Sequence, residues 1–95
     1  MMQLTEARVP TGSGSRYLQQ LCKHWAHRLP VDFTTEKGRV DFPSGAVVTM
    51  IAESDALAVK LEVPDGEDVA HMRHIVASHL DRFAFRETPL AFDWK

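Results

Sequence analysis

Leu57-Ala58-Val59-Lys60-Leu61-Glu62-Val63 is the stretch that decides the fold. Its apolar residues at 57, 59, 61 and 63 alternate with Ala58, Lys60 and Glu62, and a period of two marks a strand with one face buried. Such a strand needs neighbours beside it and a layer above it. Just before it, residues 46–52 form an apolar run rich in β-branched side chains, expected as a central strand, and Ser54-Asp55 turns the chain between the two. Alternation in that run sends Val48, Met50 and Ala52 to one face and Val47, Thr49 and Ile51 to the other. Further back, Val40 and Phe42 alternate with Arg39 and Asp41, and Val31 and Phe33 with Asp32 and Thr34. Glu36-Lys37-Gly38 is expected as the hairpin turn between them, and Pro43-Ser44-Gly45 as the next turn.

The segments outside this meander have a helical period. Across residues 15–29, Leu18, Leu21, Cys22, Trp25 and Leu29 recur at spacings of three and four, with Arg16, Gln20, Lys23 and His27 opposite. The cluster Thr11-Gly12-Ser13-Gly14-Ser15 reads as a turn ending in an N-cap, Ser13 or Ser15, and Pro30 stops the helix. After Pro64-Asp65-Gly66, a second stripe of Val69, Met72, Val76, Leu80 and Phe83 predicts a second helix, with Asp65 as its cap. The tail Leu90-Ala91-Phe92-Asp93-Trp94 alternates again, which predicts a short terminal strand that docks. Residues 4–9 form a weaker strand pattern.

The expected fold is therefore α+β: a two-layer sandwich with two helices on one face of a curved, mostly antiparallel sheet, in the order β-α-β-β-β-β-α plus a short C-terminal strand. That order is the one found in the TATA-binding-protein-like arrangement, and such an analogy carries no function. Ninety-five residues, taken as one domain over residues 1–95, are enough to bury a core.

Composition narrows the function classes. With 44% hydrophobic and 25% charged residues and a net charge of −2, the chain lacks the basic surplus of a nucleic-acid binder or of a protein held on an anionic membrane. Residues 1–10 contain no apolar signal segment, and residues 46–52 are too few to span a bilayer, so the expectation is a cytoplasmic protein. A lone cysteine, Cys22, excludes an internal disulfide and sits on the apolar stripe, where a buried structural thiol is expected.

No residue is assigned a catalytic role. Asp32 and Asp41 face each other across the expected hairpin, but solvated strand residues near Arg39 and Lys60 account for them. Gly12-Ser13-Gly14 matches no phosphate-loop motif. Two histidine pairs stand at i and i+3, His24 with His27 and His71 with His74, a spacing that lets two imidazoles share a metal ion. Two such pairs on neighbouring helices would make a four-ligand site for a transition metal or haem; the plainer reading is four solvated residues on outward faces. His79, nearer the apolar stripe, is expected as a boundary histidine bonded through one ring nitrogen. On the sheet, Val47 and Ile51 are left on the face away from the helices, where an apolar patch would take a ligand, a protein partner or a second copy.

Residues 16–25, Arg16-Tyr17-Leu18-Gln19-Gln20-Leu21-Cys22-Lys23-His24-Trp25, together with residues 79–87 and 90–94, resemble a family of short bacterial proteins of unknown function. Members of that family are sometimes found beside, or fused to, siderophore-interacting ferric reductases. The resemblance implies an accessory role in iron handling and singles out His24, Arg86 and Glu87 as polar positions in its motifs, with Trp94 in the terminal one. Three readings follow: a non-enzymatic binding or accessory module, a metal or haem binder using helix histidines, and an interaction protein that dimerises through the open sheet face.

Overall fold

A computed structural model describes residues 2–84 and 90–95. Five strands form one sheet: β1 (Met2–Pro10), β2 (Val31–Phe33), β3 (Lys37–Asp41), β4 (Val47–Ala52) and β5 (Ala56–Pro64). Their spatial order is β1-β5-β4-β3-β2, and every pairing is antiparallel. The helices are α1 (Gly14–Trp25), between β1 and β2, and α2 (Val69–Phe83), after β5. This is the expected α+β arrangement.

The register explains why the alternation in β5 was decisive. Cross-strand partners share a face, so buried residues line up in rows beneath the helices. One row runs Thr5, Leu61, Val48, Val40, Val31, and the next Ala7, Val59, Met50, Gly38, Phe33. Leu18, Leu21 and Cys22 of α1 and Met72, Val76 and Leu80 of α2 close the core from above. Full burial of each Leu or Val is worth roughly 1.5–3 kcal/mol.

Gly38 lies within this second row and corrects an expectation. It belongs to β3, not to a turn, and the chain reverses at residues 34–36 instead. There Thr34 Oγ1 accepts the N–H groups of Glu36 and Lys37, both at 3.2 Å. The glycine is needed for space: a Cβ at position 38 would stand 2.7 Å from Cys22 Sγ and 3.1 Å from Leu18 Cδ1. α1 rests directly on that backbone.

Helix limits also shift. α1 ends at Trp25 and gives way to a turn in which the N–H groups of Arg28 and Leu29 both return to the Trp25 carbonyl, at 3.0 and 2.9 Å; Pro30 then bars Leu29 from continuing the helix. Ser13 holds the N-cap position, though its side chain makes no capping bond. At α2 the cap is Asp68, whose carboxylate accepts the His71 N–H at 3.1 Å, three residues beyond the expected Asp65.

The tail docks. Asp81 on α2 accepts the Leu90 N–H at 3.0 Å, and Leu90 is buried. Phe92 and Trp94 stack with ring centres 5.8 Å apart, and the Arg73 guanidinium lies 5.6 Å over Trp94. From Asp81 back to Arg73 is eight helical residues, about 12 Å, while Leu90 to Trp94 is four extended steps, about 13 Å. The tail therefore runs antiparallel to α2 at matching pitch. Instead of a regular strand, it gives one reciprocal main-chain pair on the outer edge of β1, Lys95 N–H to Glu6 O at 2.8 Å and Glu6 N–H to Lys95 O at 3.0 Å. Beneath it Thr5, almost fully buried, donates its hydroxyl to the Lys95 main-chain oxygen at 2.9 Å and accepts Arg73 Nη2 at 2.6 Å.

Candidate functional site

Three surfaces carry the residues singled out by the sequence. The first is the sheet face opposite the helices. It carries Val47, Thr49 and Ile51 of β4, with Ala58, Lys60 and Glu62 of β5 paired to them and Leu4, Glu6 and Arg8 of β1 beyond. Ile51 is 46% exposed, whereas Val47 is half-buried. The split of β4 between two faces follows the alternation. The face is nevertheless a mosaic and not an apolar plane: between the row holding Val47 and the row holding Ile51 lies a polar row, Arg39, Thr49, Lys60, Glu6.

Small side chains make part of this face concave. Ala58 and Thr49 sit low beside Ile51, while long charged side chains rise around them. The result is a cavity of ≈ 550 Å³. Its charged lining is balanced: Glu6, Glu53 and Asp93 against Arg8, Lys60 and Lys95. These charges are largely paired already. Arg8 Nη2 lies 3.2 Å from both Glu53 Oε1 and Asp55 Oδ1, Lys60 Nζ lies 4.0 Å from Glu62, and Lys95 Nζ lies 3.7 Å from Asp93. Exposed pairs of this kind contribute about 0–1 kcal/mol each, so they shape the rim more than they stabilise it. Further across, Asp41 hydrogen-bonds Arg39 at 3.1 Å and raises the guanidinium pKa. Asp32 pairs with Arg39 across the β2–β3 ladder, so it does not stand opposite Asp41.

The second surface is where the C-terminal ends of the helices meet. The structure brings His24 to His79, with ring centres 5.6 Å apart, and Trp25 to His79 at 5.1 Å. His27 lines the same ≈ 590 Å³ hollow. His71 and His74 are exposed on the first half of α2; His74 stands five residues, about 7.5 Å of helix, before His79, and His71 eight residues, about 12 Å. The two i, i+3 pairs therefore do not assemble as one four-histidine group. Among the described residues no group of three or more His, Cys, Asp or Glu is placed to hold a metal ion. Cys22 is fully buried, and that burial pushes its thiol pKa up to about 11, which leaves little thiolate for nucleophilic chemistry.

The third surface is the tail. Trp94 is half-buried and engaged by Phe92 and Arg73, so it anchors the tail. Arg86 and Glu87 lie outside the described residues.

The chain aligns with the NMR structure of PA4090 from Pseudomonas aeruginosa at 36% sequence identity and a TM-score of 0.80, covering 100% of this chain and 96% of that one. A family model described as "uncharacterized protein conserved in bacteria", DUF2218, matches residues 6–95. The chain belongs to DUF2218. No curated protein matches it. The DUF2218 description bears out the resemblance to a bacterial family of unknown function; it does not show the neighbourhood of ferric reductases that the resemblance implied. The DUF2218 match begins at Glu6 and runs through the tail, so it takes in most of the open face and both helices. No helix among the described residues is long and apolar enough to cross a membrane.

The residues that sequence reasoning missed are those of the cavity rim: Glu6, Arg8, Glu53, Lys60, Asp93 and Lys95. The available signal was Ala58, a small outward residue in the middle of a strand whose neighbours on that face are long. Reading it required the pairing register.

Proposed function

We propose that this protein is a small non-enzymatic binding module, and that the concave part of its open sheet face takes a ligand that is neutral or zwitterionic overall and has an apolar portion. The observation that carries this reading is the ≈ 550 Å³ cavity with Ile51 exposed in it and three charges of each sign around it. Its volume falls within the roughly 300–1,000 Å³ usual for small-molecule sites. A strongly charged ligand would meet equal attraction and repulsion from such a rim, whereas a ligand carrying both signs could exchange with the existing pairs. An accessory role in iron handling, which rests on the resemblance alone, fits inside this reading; ferric siderophores therefore belong among the compounds to be tried.

The experiment is a ligand-observed NMR screen of neutral, zwitterionic, anionic and cationic small molecules against the protein and its Ile51→Glu variant. Neutral and zwitterionic compounds should dominate the hits and lose binding to the variant. Hits that bind both proteins equally would place the site elsewhere.

A second reading is self-association through the same face. It is favoured by exposed Met2 and Leu4 on the β1 side of that face, with Ile51 exposed beyond the polar row, at 43%, 58% and 46% exposure. Sedimentation over a wide concentration range separates the two: a dimer that Ile51→Glu dissociates supports this reading, and a constant monomer mass rejects it.

A further inference from the structure

The hollow at the helix ends has features that the sheet face lacks. α1 ends at Trp25 and α2 at Phe83, and each places a histidine near its C-terminal end. His24 lies in the last turn of α1, 5.6 Å from His79 and 6.0 Å from Phe83, ring centre to ring centre. The rings of His24 and His79 are tilted by 48°, so they are not stacked. His79 Nδ1 lies 2.7 Å from the carbonyl oxygen of Ile75. A carbonyl only accepts, so Nδ1 carries the hydrogen. In the neutral ring Nε2 then bears the free lone pair. A backbone carbonyl that fixes the tautomer and orients the ring is the usual support of a metal-binding histidine.

The spacing suits a shared ion. A metal–nitrogen bond of about 2.0–2.1 Å puts each ring centre about 3.2 Å from the ion. At a tetrahedral angle the two centres would then stand about 5.2 Å apart, a few tenths of an ångström inside the observed separation. Both helix macrodipoles point their negative ends toward this region, which favours a cation. Arg28, which lines the hollow, and Lys23 and Arg82 in the last turns oppose one. The balance favours an ion that gains strongly from neutral imidazole over one held by charge alone, which means the later first-row divalent metals.

We infer that His24 and His79 together bind a divalent transition-metal ion of the copper and zinc class, with water completing the coordination. The pairing runs between helices, unlike the i, i+3 pairs that the sequence suggested. His27 lines the same hollow but is not placed to make a third ligand, so the proposed site rests on two imidazoles. The site is separate from the sheet cavity, so it stands or falls independently of the ligand proposed there.

The test uses Zn²⁺ alone, added to the full chain at pH 7.5, with the imidazole nitrogens followed by long-range ¹H–¹⁵N NMR. The His24 and His79 signals should move together at lower zinc concentration than those of His71 and His74. His24→Ala and His79→Gln should each weaken binding by about tenfold or more, while His71→Ala and His74→Ala leave it unchanged. His24 is exposed, so its variant keeps the test valid if the His79 variant fails to fold. The proposal is overturned if the imidazoles are unmoved at millimolar zinc, if His71 and His74 respond first, or if His24→Ala binds as the parent does.

Discussion

Gly38→Ala should destabilise the protein even though alanine is ordinarily the better residue in a strand. The new Cβ would lie 2.7 Å from Cys22 Sγ, where non-bonded heavy atoms normally settle at about 3.5–4.0 Å. The deficit is roughly 1 Å. It falls between a sheet backbone and a helix side chain that are both fixed by neighbours. Overpacking of this kind costs about 1–3 kcal/mol. Loss of glycine's freedom in the unfolded chain returns about 0.4–1 kcal/mol. The net expectation is a loss of about 1–2 kcal/mol, or a fall in Tm of about 5–15 °C for a domain of this size. Urea denaturation followed by circular dichroism measures it. The decisive arm is a double-mutant cycle with Cys22→Ala, which removes the sulfur that the Cβ would strike. In that background Gly38→Ala should be nearly neutral, a coupling of about 1–2 kcal/mol. Equal stability of Gly38→Ala and parent, or costs that add within about 0.5 kcal/mol, would refute the close packing of α1 on β3.

Three further outcomes follow from the same geometry. Because burial raises the Cys22 thiol from its usual value near 9 to about 11, the unfolded chain loses this proton first; stability should fall as pH rises from about 9 to 11, by on the order of 2 kcal/mol, and Cys22→Ala should lose that slope in pH-dependent denaturation. Arg73→Ala removes the donor to Thr5 and the cation over Trp94, so it should cost about 1–2 kcal/mol and speed exchange of the Glu6 and Lys95 amides in hydrogen-exchange NMR. Asp68→Ala removes the side-chain cap of α2 and should cost about 1 kcal/mol in the same urea experiment, with Asp68→Asn close to neutral.

The readable parts of this chain were those in which a single period governs a whole element. β5 alternates throughout, α1 carries an unbroken apolar stripe, and β4 divides its residues between two faces as its order in sequence requires. The misread parts depended on contacts between elements. Gly38 looks like a turn residue because glycine commonly is one; only the arrival of Leu18 and Cys22 above it shows that a missing side chain makes room. Of the i, i+3 histidine pairs, His71 and His74 share α2 as expected, whereas His27 falls in the turn beyond α1; and spacing along one helix cannot say which residue of another it will meet. His24 meets His79 because the two helices converge at their C-terminal ends. The cavity on the open face was hidden for the same reason, since its lining comes from β1, β4, β5 and the tail together.

The binding-module proposal is tested most directly by an amide ¹H–¹⁵N map of the labelled protein with the strongest neutral or zwitterionic hit from the screen. The largest shifts are expected at Glu6, Thr49, Ile51, Ala58 and Lys60, and they should vanish in Ile51→Glu. Shifts gathered on α1 and α2, with the sheet face unmoved, would contradict it.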